Sequence, residues 1–142
     1  MSTRETQNKA VARRYVAAHA GNERAVLEEL LPPDITVYSA GSPMNRDGLL
    51  QSIGMFSAVA SDRELAVEDQ IAEGDKVLTR CTWRGIHSGS FQGMPPTGRQ
   101  IAVSAFFMQR ILDGRIVEQW FLFDQLSFMR QLGLVPPPQP AR

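Results

Sequence analysis

The sequence is poor in the features that cross-link a chain, charge it or carry it into a membrane. Cysteine occurs once, at Cys81, which excludes an intramolecular disulfide and any multi-cysteine zinc site. Cys81 lies in a strand-like run rather than a redox motif and reads as a small buried core residue. Basic and acidic residues number 15 each, so the formal net charge is zero and nothing marks DNA, RNA or an anionic membrane as a partner. No apolar run is long enough to span a bilayer, and the opening residues MSTRETQNKAVARRYV lack the apolar stretch of a secretory leader. The expectation is a cytoplasmic protein with no nucleic-acid and no membrane partner. Phosphate loops, dinucleotide fingerprints, zinc spacings and the G-x-S-x-G elbow are all missing, so no cofactor and no metal is expected.

What is present fits one domain, 142 residues being enough to bury a single core. The domain is expected over residues 1–135, followed by a flexible proline-rich tail over 136–142. Helical spacing predicts a first helix over about Thr3–Ala20 and a second over about Glu23–Leu31, stopped by Pro32 and Pro33. DITVYS reads as a short strand, and a third helix starts after a cap at Asn45 or Asp47. The period then changes to long alternating runs, Leu65–Ala72, Lys76–His87, Gln100–Ile111 and Arg115–Phe123, with hairpin-sized connections at EGD and LDG. A short helix over Gln125–Gln131 ends at Gly133. Helices followed by a long antiparallel sheet make an α+β fold, in which a curved sheet wraps the N-terminal helices.

The hairpin MQRILDGRIVEQWFLFD carries most of the candidate chemistry. A three-residue loop with Gly114 left-handed pairs Ile111 with Arg115 and sets even-numbered residues against even-numbered ones. Phe106, Met108 and Arg110 then share a face with Glu118, Trp120, Leu122 and Asp124; a two-residue Asp-Gly turn separates Arg110 from Asp124 instead. Charges among aromatic rings call for a reason. For Arg110 and Glu118 it is an ion pair at the rim or a place in a pocket. For Asp124 it is an N-cap of the following helix or a carboxylate in an apolar pocket, suited to acid/base work. Among the remaining polar candidates, His87 closes the strand before the stiff, apolar connection SGSFQGMPPTGRQI, and His19 reads as a cation at a helix C-terminus. Tyr15 either points its hydroxyl into a cavity or packs on Trp83 or Trp120.

The two segments RGIHSGSFQGMPPTGRQIAV and MQRILDGRIVEQWFLFDQLSFMRQLG closely resemble the SnoaL-like polyketide cyclase family, over essentially the whole chain. The resemblance implies a cone-like α+β barrel with an interior pocket, usually a homodimer through the sheet, and cofactor-free ring closure of an anthracycline-type aromatic polyketide by aldol condensation. It also implies Asp124 as catalytic acid/base. At Arg110 the chain departs from the cyclases, which place a histidine there, and the expectation from the residues is that Arg110 steadies oxyanion charge, with Tyr15, His87, Phe106, Met108, Glu118 and Trp120 as substrate-pocket residues. The proline-rich connection is then a stiff flap at a pocket rim or dimer interface, carrying Phe91 and Met94. The alternatives are a hydroxylase of the same family and a noncatalytic binding or association domain.

Overall fold

The computed structural model describes residues 2–39 and 41–138; the last four residues of the expected tail, 139–142, lie outside it. Helix α1 (Thr3–Gly21) begins at Ser2, whose hydroxyl accepts the Glu5 N–H while the Glu5 carboxylate accepts the Ser2 N–H. This reciprocal cap satisfies two donors that the first turn leaves free. Helix α2 (Arg24–Leu30) leads to strands β1 (Thr36–Ser39) and β2 (Ser42–Met44), the latter unanticipated from the sequence. Helix α3 (Arg46–Val59) starts at Asn45, whose side chain accepts the Gly48 N–H at 2.8 Å. Strands β3 (Ala60–Glu73), β4 (Lys76–His87), β5 (Gln100–Leu112) and β6 (Arg115–Phe123) follow, then α4 (Gln125–Leu132), closed by a left-handed Gly133.

The six strands form one sheet in the order β2-β1-β6-β5-β4-β3. All neighbours are antiparallel except β1 and β6, which run parallel. The expected all-antiparallel sheet is thus a mixed one: α3 and four strands separate β1 from β6, a crossover long enough to return in the same direction. The sheet is not closed into a barrel, since β2 and β3 are its edges. With its helices it makes a cone-like α+β fold.

Burial fixes which face is which. Along β4 and β5 every odd-numbered residue from Val77 to His87 and from Ile101 to Ile111 is buried, and no even-numbered one is. The buried face meets α1, α3 and α4; the even-numbered face points away from them.

The β5–β6 turn has two residues, not three. Asp113 (φ 51°) and Gly114 (φ 76°) are both left-handed, and Leu112 stands opposite Arg115. One step further, Ile111 pairs with Ile116 but Arg110 pairs with Glu118, leaving Val117 as the extra residue of a bulge. The bulge lets both Ile116 and Gln119 face the core. Even-numbered residues therefore do oppose even-numbered ones, but the bulge rather than the turn brings this about.

Candidate functional site

Between the inner face of the sheet and the helices lies a chamber of about 240 Å³. Its walls are rings: Phe107, Phe121 and Phe123 from the β5–β6 hairpin, Trp83 from β4, and Phe56 and Phe128 from α3 and α4. Phe107 and Phe121 are direct cross-strand partners, stacked with centroids 4.7 Å apart. Phe56 meets Phe123 edge-on at 5.3 Å and lies 5.6 Å from Phe128. The lining also includes His19, Gln119 and a few serines and glutamines, but no Asp, Glu, Lys or Arg.

His19 is the one acid/base group among the lining residues. It comes from the last turn of α1 and stands among Tyr15, Phe107 and Phe121, at centroid distances of 5.9, 5.6 and 6.2 Å. Burial pushes its pKa down to about 4, with its own backbone partly opposing the shift. The imidazole is consequently neutral at pH 7, not the helix-end cation expected from the sequence.

Behind the chamber wall runs a buried chain of polar groups. Gln109 Nε2 donates to Gln119 Oε1 at 2.6 Å, and Gln119 Nε2 donates to the Tyr15 hydroxyl oxygen at 3.1 Å. All three residues are fully buried. Burial pushes the Tyr15 pKa well above its usual range, partly countered by the Gln119 bond. Gln109 Oε1 has no hydrogen-bond partner. Tyr15 thus packs on Phe107 and braces Gln119, and neither Trp83 nor Trp120 is its ring partner.

The flap is a small hairpin of its own. Phe91 and Met94 exchange two backbone hydrogen bonds of 3.0 and 2.8 Å around left-handed Gln92 and Gly93, and Phe91 meets Phe128 edge-on at 5.2 Å. His87 anchors the base: it is fully buried, its Nδ1 accepts the Thr97 N–H at 3.2 Å, and its backbone pairs with Gly98 and Arg99. It is a fastening of the flap and does not line the chamber.

The remaining sequence candidates are corrected by the face they occupy. Phe106, Met108, Arg110, Glu118 and Trp120 all project from the side of the sheet opposite the chamber. Arg110 Nε meets Glu118 Oε1 and its Nη1 meets Asp75 Oδ2, each at 3.1 Å. Glu118 first, then Asp75, raises the guanidinium pKa. Trp120 stacks on Tyr38 at 5.8 Å, with Lys76 Nζ 5.9 Å from its ring. Asp124 is exposed, its Oδ1 accepts the Ser127 N–H at 3.1 Å, and it caps α4. It is not among the chamber's lining residues, although its neighbours Phe123 and Gln125 are. Solvation explains the pattern, because charged groups stay on the wet face. The signal for the true lining lay on the odd-numbered face of the same hairpin, in Phe107, Phe121, Phe123 and Gln119. For His19 it lay one helical turn from Tyr15. Cys81 is buried as expected, with its thiol pushed up to about 11 by burial. Among the described residues no cluster of three or more His, Cys, Asp or Glu could hold a metal ion, and no helix is long and apolar enough to cross a membrane.

An open sheet with a ring-lined chamber between it and its helices is a fold of the ketosteroid isomerase-like kind. The chain belongs to the SnoaL-like polyketide cyclase family, whose pattern it matches over residues 9–132. It is 35% identical over 78 residues to aklanonic acid methyl ester cyclase DauD of Streptomyces sp. strain C5, which covers 55% of this chain and 47% of DauD. The chain thus spans about half the length of that relative. Its structure is similar to that of IdmH from Streptomyces antibioticus, described as a candidate polyketide cyclase. There the TM-score is 0.83 at 34% identity, over 89% of this chain and 99% of the other. It is also similar to AclR from Streptomyces galilaeus, described as a candidate hydroxylase, with TM-score 0.88 at 26% identity over 95% and 86%.

Proposed function

We propose that this protein binds an aromatic polyketide intermediate in the ring-lined chamber and promotes its intramolecular aldol ring closure without a cofactor, His19 handling the proton. The observation that carries this reading is a chamber walled by aromatic rings in which, among the described lining residues, the only acid/base group is an imidazole whose pKa burial lowers. A neutral imidazole offers one nitrogen as acceptor and one as donor. In the closure a methylene C–H bond breaks, a C–C bond forms to a carbonyl carbon, and the carbonyl oxygen takes up the proton. Nothing is consumed, so a single shuttling group suffices. The rings hold the substrate folded with its reacting carbons close, which lowers the entropy cost of closure. Gln119, held by Gln109 and Tyr15, presents a fixed amide to a ligand carbonyl or hydroxyl.

The rival assignment makes Asp124 the acid/base, which requires it to leave its capping bond to Ser127 and turn inward. The two are separated with aklanonic acid methyl ester, the compound in the name of the relative DauD. His19→Gln should abolish ring closure while ligand binding persists, and Asp124→Asn, which preserves the cap, should leave turnover intact. The opposite result assigns the chemistry to Asp124.

Likeness to AclR favours hydroxylation as a second reading. Oxygen uptake with an anthrone or anthraquinone substrate and a reductase would establish it. The homodimer is supported by the outer face of the sheet, where Phe106 and Leu122 are 39% and 62% exposed beside Met108 and Trp120. Sedimentation should give a dimer that Leu122→Lys dissociates.

A further inference from the structure

The chamber shares a wall with a second space. A groove of about 450 Å³, open to solvent, runs between α3 and the flap, and Ser52, Phe56, Phe91 and Gln92 line both it and the chamber. The partition is one layer of side chains thick. Its two large members are held very differently. Phe56 is packed against Trp83, Phe123 and Phe128, whereas Phe91 has a single ring partner, Phe128. The backbone around Phe91 is fixed at its base, where Ser88 and Gly89 donate to the Val59 carbonyl and Thr97 donates to His87. Between Gly89 and Thr97 the backbone hydrogen bonds are those that Phe91 and Met94 make to each other. The tip of the flap is a small two-bonded hairpin on two anchored ends.

From this we infer that groove and chamber are two halves of one ligand site, with Phe91 as the gate between them. The inference rests on the chamber's being a ligand site and adds where the rest of the ligand goes. An engineered cavity of about 150 Å³ takes one benzene ring, so the chamber has room for roughly two fused rings. Sites for larger organic ligands run from about 300 to 1,000 Å³, a range reached once the groove is joined to the chamber. The groove's lining is also of a different kind. Gln51, Ser52, Ser90 and Gln92 offer neutral hydrogen-bonding groups, Met55 an exposed flexible thioether, and no residue of the lining is charged. The ligand is therefore elongated, with a flat apolar end for the chamber and an uncharged, hydrogen-bonding end, such as an ester or a hydroxylated side chain, for the groove. A free carboxylate at that end finds no cation in either lining.

The test uses Met55→Cys labelled with a bulky maleimide, which fills the groove from a position that does not line the chamber; the native Cys81 is 1% exposed and stays unlabelled. Binding of two probes is measured by calorimetry: 1-tetralone, which fits the chamber alone, and the methyl ester of anthraquinone-2-carboxylic acid, which extends beyond it. The label should leave 1-tetralone affinity unchanged and weaken the ester at least tenfold. Phe91→Ala should speed association of the ester several-fold, read by stopped-flow absorbance of the anthraquinone. If 1-tetralone binds but neither the label nor Phe91→Ala affects the ester, the groove and gate are wrong and the chamber stands. If 1-tetralone fails to bind the unlabelled protein, the chamber reading itself fails.

Discussion

Phe107 and Phe121 stand directly opposite each other on β5 and β6, their rings stacked 4.7 Å apart on the face of the sheet that lines the chamber. They differ in surroundings: Phe107 is 1% exposed, whereas Phe121 retains intermediate exposure. Truncating a buried phenylalanine costs about 3–5 kcal/mol, through lost transfer energy and the cavity left behind. Phe107→Ala is expected to reach that range in urea unfolding. Phe121→Ala should cost less, because part of its surface already borders empty space, and should enlarge the chamber enough to tighten binding of three-ring ligands.

The His19 pKa gives stability a pH dependence of definite sign. Its folded value of about 4 lies below the ordinary 6.5, so between these values the unfolded chain binds more protons than the folded one. Stability is undiminished above pH 6.5 and falls as pH drops towards 4, by up to about 3 kcal/mol from this residue. His19→Phe should remove this component. Urea midpoints at pH 7 and pH 4.5 should differ less in the variant than in the parent, with the carboxylates contributing equally to both. Equal differences would mean the imidazole is not desolvated.

Gln109 and Gln119 are coupled through a 2.6 Å bond in a fully buried setting. Gln119→Leu strands the Gln109 amide and the Tyr15 hydroxyl, at about 1–3 kcal/mol for each buried group left unpaired. Replacing both glutamines with leucine removes two polar groups together. The double variant is expected to be less destabilised than the sum of the singles, a non-additivity that a double-mutant cycle reads directly.

Gly89 holds the base of the flap against the end of α3. A Cβ there would lie 2.0 Å from the Ala58 carbonyl oxygen, which is backbone and has little room to yield. Gly89→Ala should break the bonds from Ser88 and Gly89 to Val59 and free the flap. Hydrogen exchange should accelerate at those two amides, and the protein should lose stability. The exposed, left-handed Gly93 has no such contact, so Gly93→Asn, which tolerates that conformation, is expected to be nearly silent.

Much of the architecture was legible because it rests on local rules. The strand limits Lys76–His87 and Arg115–Phe123 match the alternation and turn residues that bound them, and α4 ends at Gly133 where the glycine allows it. Strand β2 has no alternation to read, being three residues long with a proline at its centre, and the first residues of β3 depend on partners near His87, distant in sequence.

By itself the sequence determined the family and the order of the helices and of the strands other than β2, and it offered the ion pair of Arg110 with Glu118 as one of two roles for those residues. It could not determine which side of that hairpin is the inside, because aromatic residues alternate on both faces: Phe107, Phe121 and Phe123 on one, Phe106 and Trp120 on the other. Only the packing of α1, α3 and α4 against the odd-numbered face decided it. That choice put Arg110 and Glu118 on the outer face, left Asp124 capping a helix, and set His19 in the wall of a ring-lined chamber where desolvation lowers its pKa. Side-chain period is a property of the backbone, but burial is a property of what the other elements cover.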